Sequence, residues 1–195
     1  AAQKFADVAT TLGNAALEAG DNQTAIGWLE QLPESEETQN ALNRAVYAYA
    51  EQLAADGQKE AAAVEFYSLG GYQDAMERGN ALEYELAMSE KVQDVHSALD
   101  RFEALGDYSD AAAQAEACRY DIAKAMMDAG ELEEALNAFE ALGDVQDAPE
   151  QAQRCRYLLA QQAMNAGEYD KAIALYEACG AYLDAEDGAM QARYA

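Results

Sequence analysis

Residues 130–143 read GELEEALNAFEALG, and the same pattern returns 37 residues later as GEYDKAIALYEACG at residues 167–180. Earlier copies read QDVHSALDRFEALG at 93–106, GQKEAAAVEFYSLG at 57–70 and GDNQTAIGWLEQLP at 20–33. Self-similarity with a period of roughly 20–50 residues is the sequence signature of repeat proteins such as solenoids. The chain is therefore predicted to be an array of repeats.

Each copy of this pattern has the apolar spacing of an amphipathic helix. In residues 130–143 the apolar positions are Leu132, Ala135, Leu136, Phe139 and Leu142, which follow the i, i+3, i+4, i+7 pattern. A short loop follows, such as GDYSDA, and a longer helical run then extends to the next glycine. Each repeat is thus predicted to pair a longer first helix with a shorter second helix, which is the quoted pattern.

The helix ends are predicted from glycine and aspartate. A glycine closes each helix because it tolerates the left-handed C-cap conformation. One aspartate stands just before each long helical run and is predicted to be its N-cap. These aspartates are Asp74, Asp110, Asp147 and Asp184. With these boundaries, the predicted repeats span about residues 1–36, 37–73, 74–109, 110–146 and 147–183, and residues 184–195 begin a sixth.

The whole chain is predicted to be one all-α domain over residues 1–195, an α-solenoid of about five stacked helix-turn-helix repeats plus a terminal helix. The last predicted helix runs to the final residue, Ala195, and no initiator methionine precedes Ala1. We therefore expect a fragment of a longer protein. Self-association through the ends of the array is also expected, since a terminal repeat without a neighbour leaves an apolar face open.

The net charge narrows the classes of partner. With 37 acidic and 12 basic residues, the formal net charge is −25. Nucleic acid and anionic membrane surfaces would be repelled. A basic partner fits this charge, and so does the simpler interpretation that the acids solvate the outer helix faces. No apolar stretch reaches the ~18 residues of a membrane span, so no membrane insertion is expected within this segment.

Catalytic, cofactor and metal sites are not indicated by the sequence. Cys118 and Cys155 fall at repeat positions that hold alanine elsewhere, which predicts small buried residues; Cys179 is the third cysteine. His96 is the single histidine and has no histidine or cysteine at metal-ligand spacing. The chain is predicted not to be an enzyme and to need no cofactor. The thiols fit a reducing compartment and favour the cytoplasm, but an extracytoplasmic part of an anchored protein stays open.

The repeats resemble the tetratricopeptide repeat (TPR) family. The first helices carry a small residue preceded by an apolar one, as in Tyr49-Ala50, and the second helices combine an alanine with an aromatic, as in Ala172 and Tyr176. The LGDYxDA loops resemble those of a divergent bacterial variant. The period of 37 differs from the family's 34, and the family's helix-ending proline is present only as Pro33.

The resemblance implies a right-handed superhelix whose concave face, lined by first helices, binds an extended peptide or a helix of a partner protein. Register with the small residues of the first helices gives a candidate binding set on that face. It contains Tyr47, Tyr84, Tyr120, Tyr157, Arg44, Lys124, Arg154, Gln161, Met127 and Met164. The expected function is a non-catalytic protein-interaction module. The alternative is an architectural spacer that presents another domain and has no ligand of its own.

Two side-chain series allow opposite interpretations. The tyrosine ladder, Tyr47, Tyr84, Tyr120 and Tyr157, recurs in successive first helices. It either contacts the partner or packs between helices as part of the repeat core, and ring exposure distinguishes the two. A second series, Arg119, Arg156 and Arg193, either captures a partner carboxylate or pairs with neighbouring acids, and the net charge favours pairing.

Overall fold

The computed structural model describes the backbone of residues 2–195 and the side chains of residues 4–195. All secondary structure in this part of the chain is helical, which confirms the all-α prediction. The first helices are α1 (Ala2–Glu18), α3 (Glu36–Ala55), α5 (Ala75–Glu90), α7 (Ala111–Ala129), α9 (Ala148–Ala166) and α11 (Ala185–Tyr194). The second helices are α2 (Asn22–Leu29), α4 (Lys59–Ser68), α6 (Val95–Leu105), α8 (Leu132–Leu142) and α10 (Tyr169–Cys179).

The chain divides into two compact units, Ala1–Ser89 and Glu90–Ala195. In the first unit, α1 packs on α2, α2 on α3 and α3 on α4. In the second unit, each helix from α6 to α11 packs on the next one along the chain. Consecutive packing of short helix pairs is the architecture that a helical repeat requires. The right-handed sense of the superhelix stays a prediction.

The core of each repeat contains the two second-helix positions that recur through the sequence. An alanine in each second helix has no exposed surface: Ala25, Ala62, Ala98, Ala135 and Ala172. Four residues later stands a large side chain with at most 6% exposure: Leu29, Phe66, Phe102, Phe139 and Tyr176. Close packing explains the alternation, because the small residue lets the helices approach while the large one fills the space between them.

In the repeats over residues 110–146 and 147–183, the glycine that ends the first helix and the glycine that ends the second helix adopt different conformations. Gly130 and Gly167 end first helices in the left-handed α region, with φ of 85° and 75° and ψ of 9° and 15°. Gly143 and Gly180 end second helices with a φ of 58° but with ψ of −124° and −131°. The second conformation lies outside the left-handed C-cap predicted for these glycines, and it is closed to residues with a Cβ.

One predicted helix is shorter than expected. The pattern predicts a second helix over residues 22–32, but α2 ends at Leu29 and Glu30 is its C-cap. Pro33 accounts for part of the difference, because the residue before a proline is driven out of the helical region. The following helix begins at Glu36, and the Ser35 side chain caps it by accepting a hydrogen bond from the Thr38 amide at 3.1 Å.

Candidate functional site

Three tyrosines of the ladder, Tyr47, Tyr120 and Tyr157, connect their repeat to the loop that opens the next one. Tyr47 Oη donates a hydrogen bond to Asp74 Oδ1 at 2.6 Å, across 27 residues of sequence. Tyr120 makes the same contact with Asp147, and Tyr157 makes it with Asp184. The bond joins the first helix of one repeat to the aspartate that directly precedes the first helix of the following repeat. It therefore acts as a repeat-to-repeat lock.

The same tyrosine rings pack on the second helix of their own repeat. Tyr47 meets Phe66 with ring centroids 5.4 Å apart, and Tyr120 meets Phe139 at 5.6 Å. Tyr157 meets Tyr176 at 5.8 Å. All three pairs are edge-to-face, an arrangement that adds to the energy of simple burial. Each of these tyrosines is thus fixed by two contacts, the hydrogen bond of its hydroxyl and the packing of its ring.

The hydrogen bond between Tyr120 and Asp147 shifts the pKa of both side chains. The hydrogen bond to Asp147, helped by burial, raises the pKa of Tyr120 to about 12. The same bond, together with one from Gln151, lowers the pKa of the Asp147 carboxyl. Hydrogen bonds to Asp74 and Asp184 likewise raise the pKa of Tyr47 and of Tyr157. At neutral pH Tyr120 is therefore a donor and Asp147 an ionised acceptor, which is the stronger class of hydrogen bond.

The loop aspartates stand at the predicted N-cap positions but use their side chains differently. Neither Asp110, Asp147 nor Asp184 accepts a capping hydrogen bond from its own helix. In place of capping, Asp147 accepts from Tyr120 and, at 2.8 Å, from the Gln151 side chain. Asp110 accepts from Gln114 at 2.9 Å. The predicted side-chain capping role is wrong for these residues; at Asp147 and Asp184 the carboxylate accepts instead from a tyrosine of the preceding first helix.

The arginine series forms ion pairs inside the second unit. Arg119 pairs with Glu103 at 2.7 Å. Arg156 pairs with Glu140, and Arg193 pairs with Glu177. Every pair joins a first helix to the second helix before it, with a sequence separation of 16 residues. The arginines are therefore paired with acids, as the net charge predicts, and do not form an open cationic stripe.

The ten candidate binding residues fall into two groups by exposure. Tyr120 and Met127 are buried, at 7% and 8% exposure, while Tyr47, Tyr84, Tyr157 and Met164 are half-buried. Arg44, Lys124, Arg154 and Gln161 are exposed. Among the described residues, the three cations of this second group form no salt bridge. The exposed group is therefore the part of the set that is open to a partner.

A groove between two successive first helices contains one of these exposed residues. It lies between α1 and α3 and has a volume of about 870 Å³. Arg44 stands on one wall and Asn14 on the other. The remaining lining residues are Leu17, Glu18, Ser35, Glu36, Glu37, Asn40 and Ala41. Its charged wall is thus mainly acidic, with Arg44 as the single cation.

Arg78 is an interacting residue that the repeat pattern does not indicate. Its guanidinium donates to Tyr47 Oη at 2.8 Å and to Glu51 Oε1 at 2.5 Å. It also lies 5.6 Å and 5.3 Å from the ring centroids of Tyr47 and Phe66. Later repeats have Gln114 and Gln151 at this position, so no periodic signal marks it. The 27-residue spacing from tyrosine to aspartate, which recurs at Tyr47, Tyr120 and Tyr157, was visible in the sequence and could have revealed the locks.

Reactive or metal-binding chemistry has little support in the described residues. No group of three or more histidine, cysteine, aspartate or glutamate side chains is placed to hold a metal ion there. Cys118, Cys155 and Cys179 are buried, and burial raises the pKa of each thiol. A raised pKa makes a poor nucleophile at neutral pH. Within the same residues, no helix combines the length and the apolar character that crossing a bilayer requires.

Comparison with known proteins adds no family assignment. Neither the protein-family models nor the curated proteins searched give a match to this sequence.

Proposed function

We propose that this chain is a non-catalytic protein-interaction module that binds a basic peptide segment or helix of a partner along its first helices. The observation that carries the proposal is the α1–α3 groove. It lies between successive first helices, where the resemblance to TPR proteins places the ligand, and its volume of about 870 Å³ is within the range of ligand clefts.

The charge of the groove supports a basic segment. Glu18, Glu36 and Glu37 line it, and all three side chains are exposed. A lysine or arginine of the partner would pair with these carboxylates, which outnumber the one cation that lines the groove, Arg44. Since the chain carries a net charge of −25, the long-range field would also steer a basic partner toward it.

The second unit carries exposed cations of its own. Lys124 stands on α7, and Arg154 stands on α9 together with Gln161. A guanidinium or ammonium that is not engaged in a salt bridge can donate to backbone carbonyls or to a carboxylate of the partner. Lys124, Arg154 and Gln161 are candidate contact residues within the second unit.

The alternative function, an architectural spacer, is favoured by the tyrosine locks. Tyr47, Tyr120 and Tyr157 each donate a hydrogen bond from the hydroxyl to the next loop, and each packs its ring against the second helix of its own repeat. In a spacer, recurring tyrosines need only hold consecutive repeats together. This interpretation predicts that no segment of another protein binds the α1–α3 groove specifically.

The decisive experiment uses charge reversal in the groove. The chain and its variant E18K/E37K are used to capture partners from a lysate of the native cells, and captured proteins are identified by mass spectrometry. Peptides from a captured protein are then titrated by calorimetry. We expect a basic segment that binds the unchanged chain, with affinity falling at least about tenfold in the variant, because one contact is worth roughly 1.4 kcal/mol or more.

The matched control is E60K/E77K. Glu60 and Glu77 are exposed acids in the first turns of α4 and α5, outside the groove, so this variant has the same net charge. Binding should survive this change. If both variants lose binding equally, net charge alone is responsible. If neither loses it, the groove is not the site, and absence of any captured basic segment favours the spacer.

A further inference from the structure

A second cavity, separate from the α1–α3 groove, opens in the second unit between α6, α7 and α8. Its volume is about 520 Å³. Leu99, Ile122, Ala138, Ala141, Leu142 and Val145 form an apolar wall. His96, Glu116 and Arg119 provide the polar rim. An apolar concavity with a few polar groups at its edge is the general form of a recognition pocket.

The repeat pattern shows why the cavity is open at this point. The loop position of Val145 is a tyrosine in each of the other repeats that have this loop: Tyr72, Tyr108 and Tyr182. In the next repeat, Leu175 also takes the place of Ala138. Valine and alanine are much smaller than tyrosine and leucine. This repeat therefore lacks the aromatic ring that the other loops supply and the leucine that the following repeat supplies.

The missing ring has a known partner in two other repeats. Tyr72 packs edge-to-face on Tyr47 with ring centroids 6.0 Å apart, and Tyr182 packs on Tyr157 at 5.9 Å. Tyr182 is also half-buried against the core formed by Ala160, Tyr176 and their neighbours. Val145 has no ring to place in this way, and it lines the open cavity.

The rim indicates the charge of the occupant. Arg119 is already paired with Glu103 at 2.7 Å, so its charge is compensated. Glu116 is exposed and forms no salt bridge with another described residue. An incoming cation next to the ring would pair with Glu116, and the negative field of the chain would favour it.

We propose that the α6–α8 cavity is a second recognition site, which takes an aromatic side chain of a partner protein that is flanked by lysine or arginine. The ring fills the space that tyrosine and leucine occupy in the following repeat, and the flanking cation pairs with Glu116. Aromatic anchors in such pockets dominate binding energy in protein interfaces. The proposal does not depend on the α1–α3 groove, which lies in the other unit.

The test uses the full chain, labelled with ¹⁵N, and the capped peptide Ac-Lys-Tyr-Lys-NH₂ as probe. We expect saturable amide shifts centred on Leu99, Ile122, Ala138 and Val145. Ac-Lys-Ala-Lys-NH₂ should bind at least about tenfold more weakly, since the anchor is lost. Ac-Glu-Tyr-Glu-NH₂ should also bind more weakly, because its charges are repelled.

Two variants fill the cavity from inside. V145Y and A138L install the residues found in the following repeat, and each should weaken the Lys-Tyr-Lys peptide at least about tenfold. V64Y is the matched control, since Val64 is an exposed valine of α4 outside the cavity, and it should leave binding unchanged. E116Q should weaken the Lys-Tyr-Lys peptide while leaving Ac-Gly-Tyr-Gly-NH₂ unaffected.

The outcomes decide between this site and other interpretations. Absence of saturable shifts, shifts centred elsewhere, or full binding by both folded cavity-filling variants would overturn the proposal. Equal binding of the Lys-Ala-Lys peptide would show attraction by charge alone and would overturn it too. E18K/E37K should leave this binding intact, so failure of the α1–α3 groove and failure of the α6–α8 cavity are separable results.

Discussion

Individual tyrosines hold this molecule together through a specific pair of contacts. Tyr120 illustrates them: its hydroxyl donates to Asp147 while its ring edge meets Phe139 at 5.6 Å. Its exposure is only 7%, so a ligand would find little of the ring available. The side chains beside it that remain open, such as Lys124, are the better candidates for contact with a partner.

Removing one hydroxyl should weaken the lock without disturbing the packing. We expect Y120F to destabilise the protein by about 1–2 kcal/mol, because a hydrogen bond to a charged acceptor is lost while the ring stays in place. For a chain of this size that corresponds to a fall in Tm of roughly 2–8 °C. Thermal unfolding followed by circular dichroism measures it.

Y194F is the matched control, because Tyr194 occupies the same repeat position but is 87% exposed. Its Tm should equal that of the unchanged chain. A Tm of Y120F equal to that of Y194F would contradict a stabilising role for the lock.

The lock should also appear in the tyrosine titration. The pKa of Tyr120 is raised in the folded state, to about 12, so the stabilisation is fully present below the ordinary tyrosine pKa near 10 and is lost as pH rises toward 12. We expect late-ionising tyrosines in the ultraviolet absorbance titration, with Tyr120 among them. Y120F should reduce the amplitude of that late step, and an unchanged profile would count against the assignment.

The contribution of Asp147 to stability depends on pH in the opposite direction from that of Tyr120. The pKa of Asp147 is lowered in the folded state, first by Tyr120 and then by Gln151. Its contribution to stability is therefore present above the ordinary aspartate pKa and is lost as pH falls through the lowered value. In acid, Y120F and the unchanged chain should approach the same stability, which a series of melting curves at decreasing pH would show.

At the scale of the element, glycine conformation fixes where each second helix ends. Gly143 combines a φ of 58° with a ψ of −124°, and nothing lies within 4 Å of a Cβ built there. Space is therefore available for a side chain, but the backbone conformation is unfavourable to one. We expect G143A to destabilise the protein by about 1–3 kcal/mol in chemical denaturation, entirely through backbone strain.

G27A provides the contrasting substitution. Gly27 lies inside α2, is exposed, and also has nothing within 4 Å of a built Cβ. Alanine there should stabilise the protein by about 0.5–1 kcal/mol, because glycine costs more backbone entropy in a helix. Equal effects of G143A and G27A would show that the backbone conformation at Gly143 is not a constraint.

Helix positions were largely predictable from the sequence, whereas side-chain partners were not. The apolar spacing of residues 130–143 places a helix that the structure has as Leu132–Leu142. The side chain of Asp147, predicted to cap α9, bonds to Tyr120 instead. The apolar periodicity of a single helix carries no information about a partner 27 residues away, since that contact exists only after two repeats have packed. Its one trace in the sequence is the tyrosine–aspartate spacing that recurs at Tyr47, Tyr120 and Tyr157. The α1–α3 groove was partly predictable, because register selects Arg44.

At the scale of the whole molecule, excess negative charge opposes folding and attracts basic partners. The net charge of −25 produces self-repulsion that salt screens. The surface ion pairs that salt would weaken, such as Lys59–Glu85, are exposed and worth about 0–1 kcal/mol each. We therefore expect Tm to rise by several degrees between about 10 mM and about 150 mM NaCl, over which the Debye length shortens from about 30 Å to about 8 Å.

The same salt should weaken partner binding, because attraction between the acidic groove and a basic segment is screened as well. A Tm that falls with salt would show that favourable ion pairs outweigh the repulsion. Binding that is indifferent to salt would contradict a basic partner.

The central claim is that the tyrosines hold the repeats together while the acidic groove between α1 and α3 receives the partner. The most direct test measures Tm and partner affinity on the same three proteins: the unchanged chain, Y120F/Y157F and E18K/E37K. We predict that Y120F/Y157F melts at lower temperature but, below that temperature, binds the partner segment with unchanged affinity. E18K/E37K should keep its Tm and lose binding at least about tenfold. The reverse result, with binding lost in the tyrosine variant and kept in the groove variant, would contradict the account.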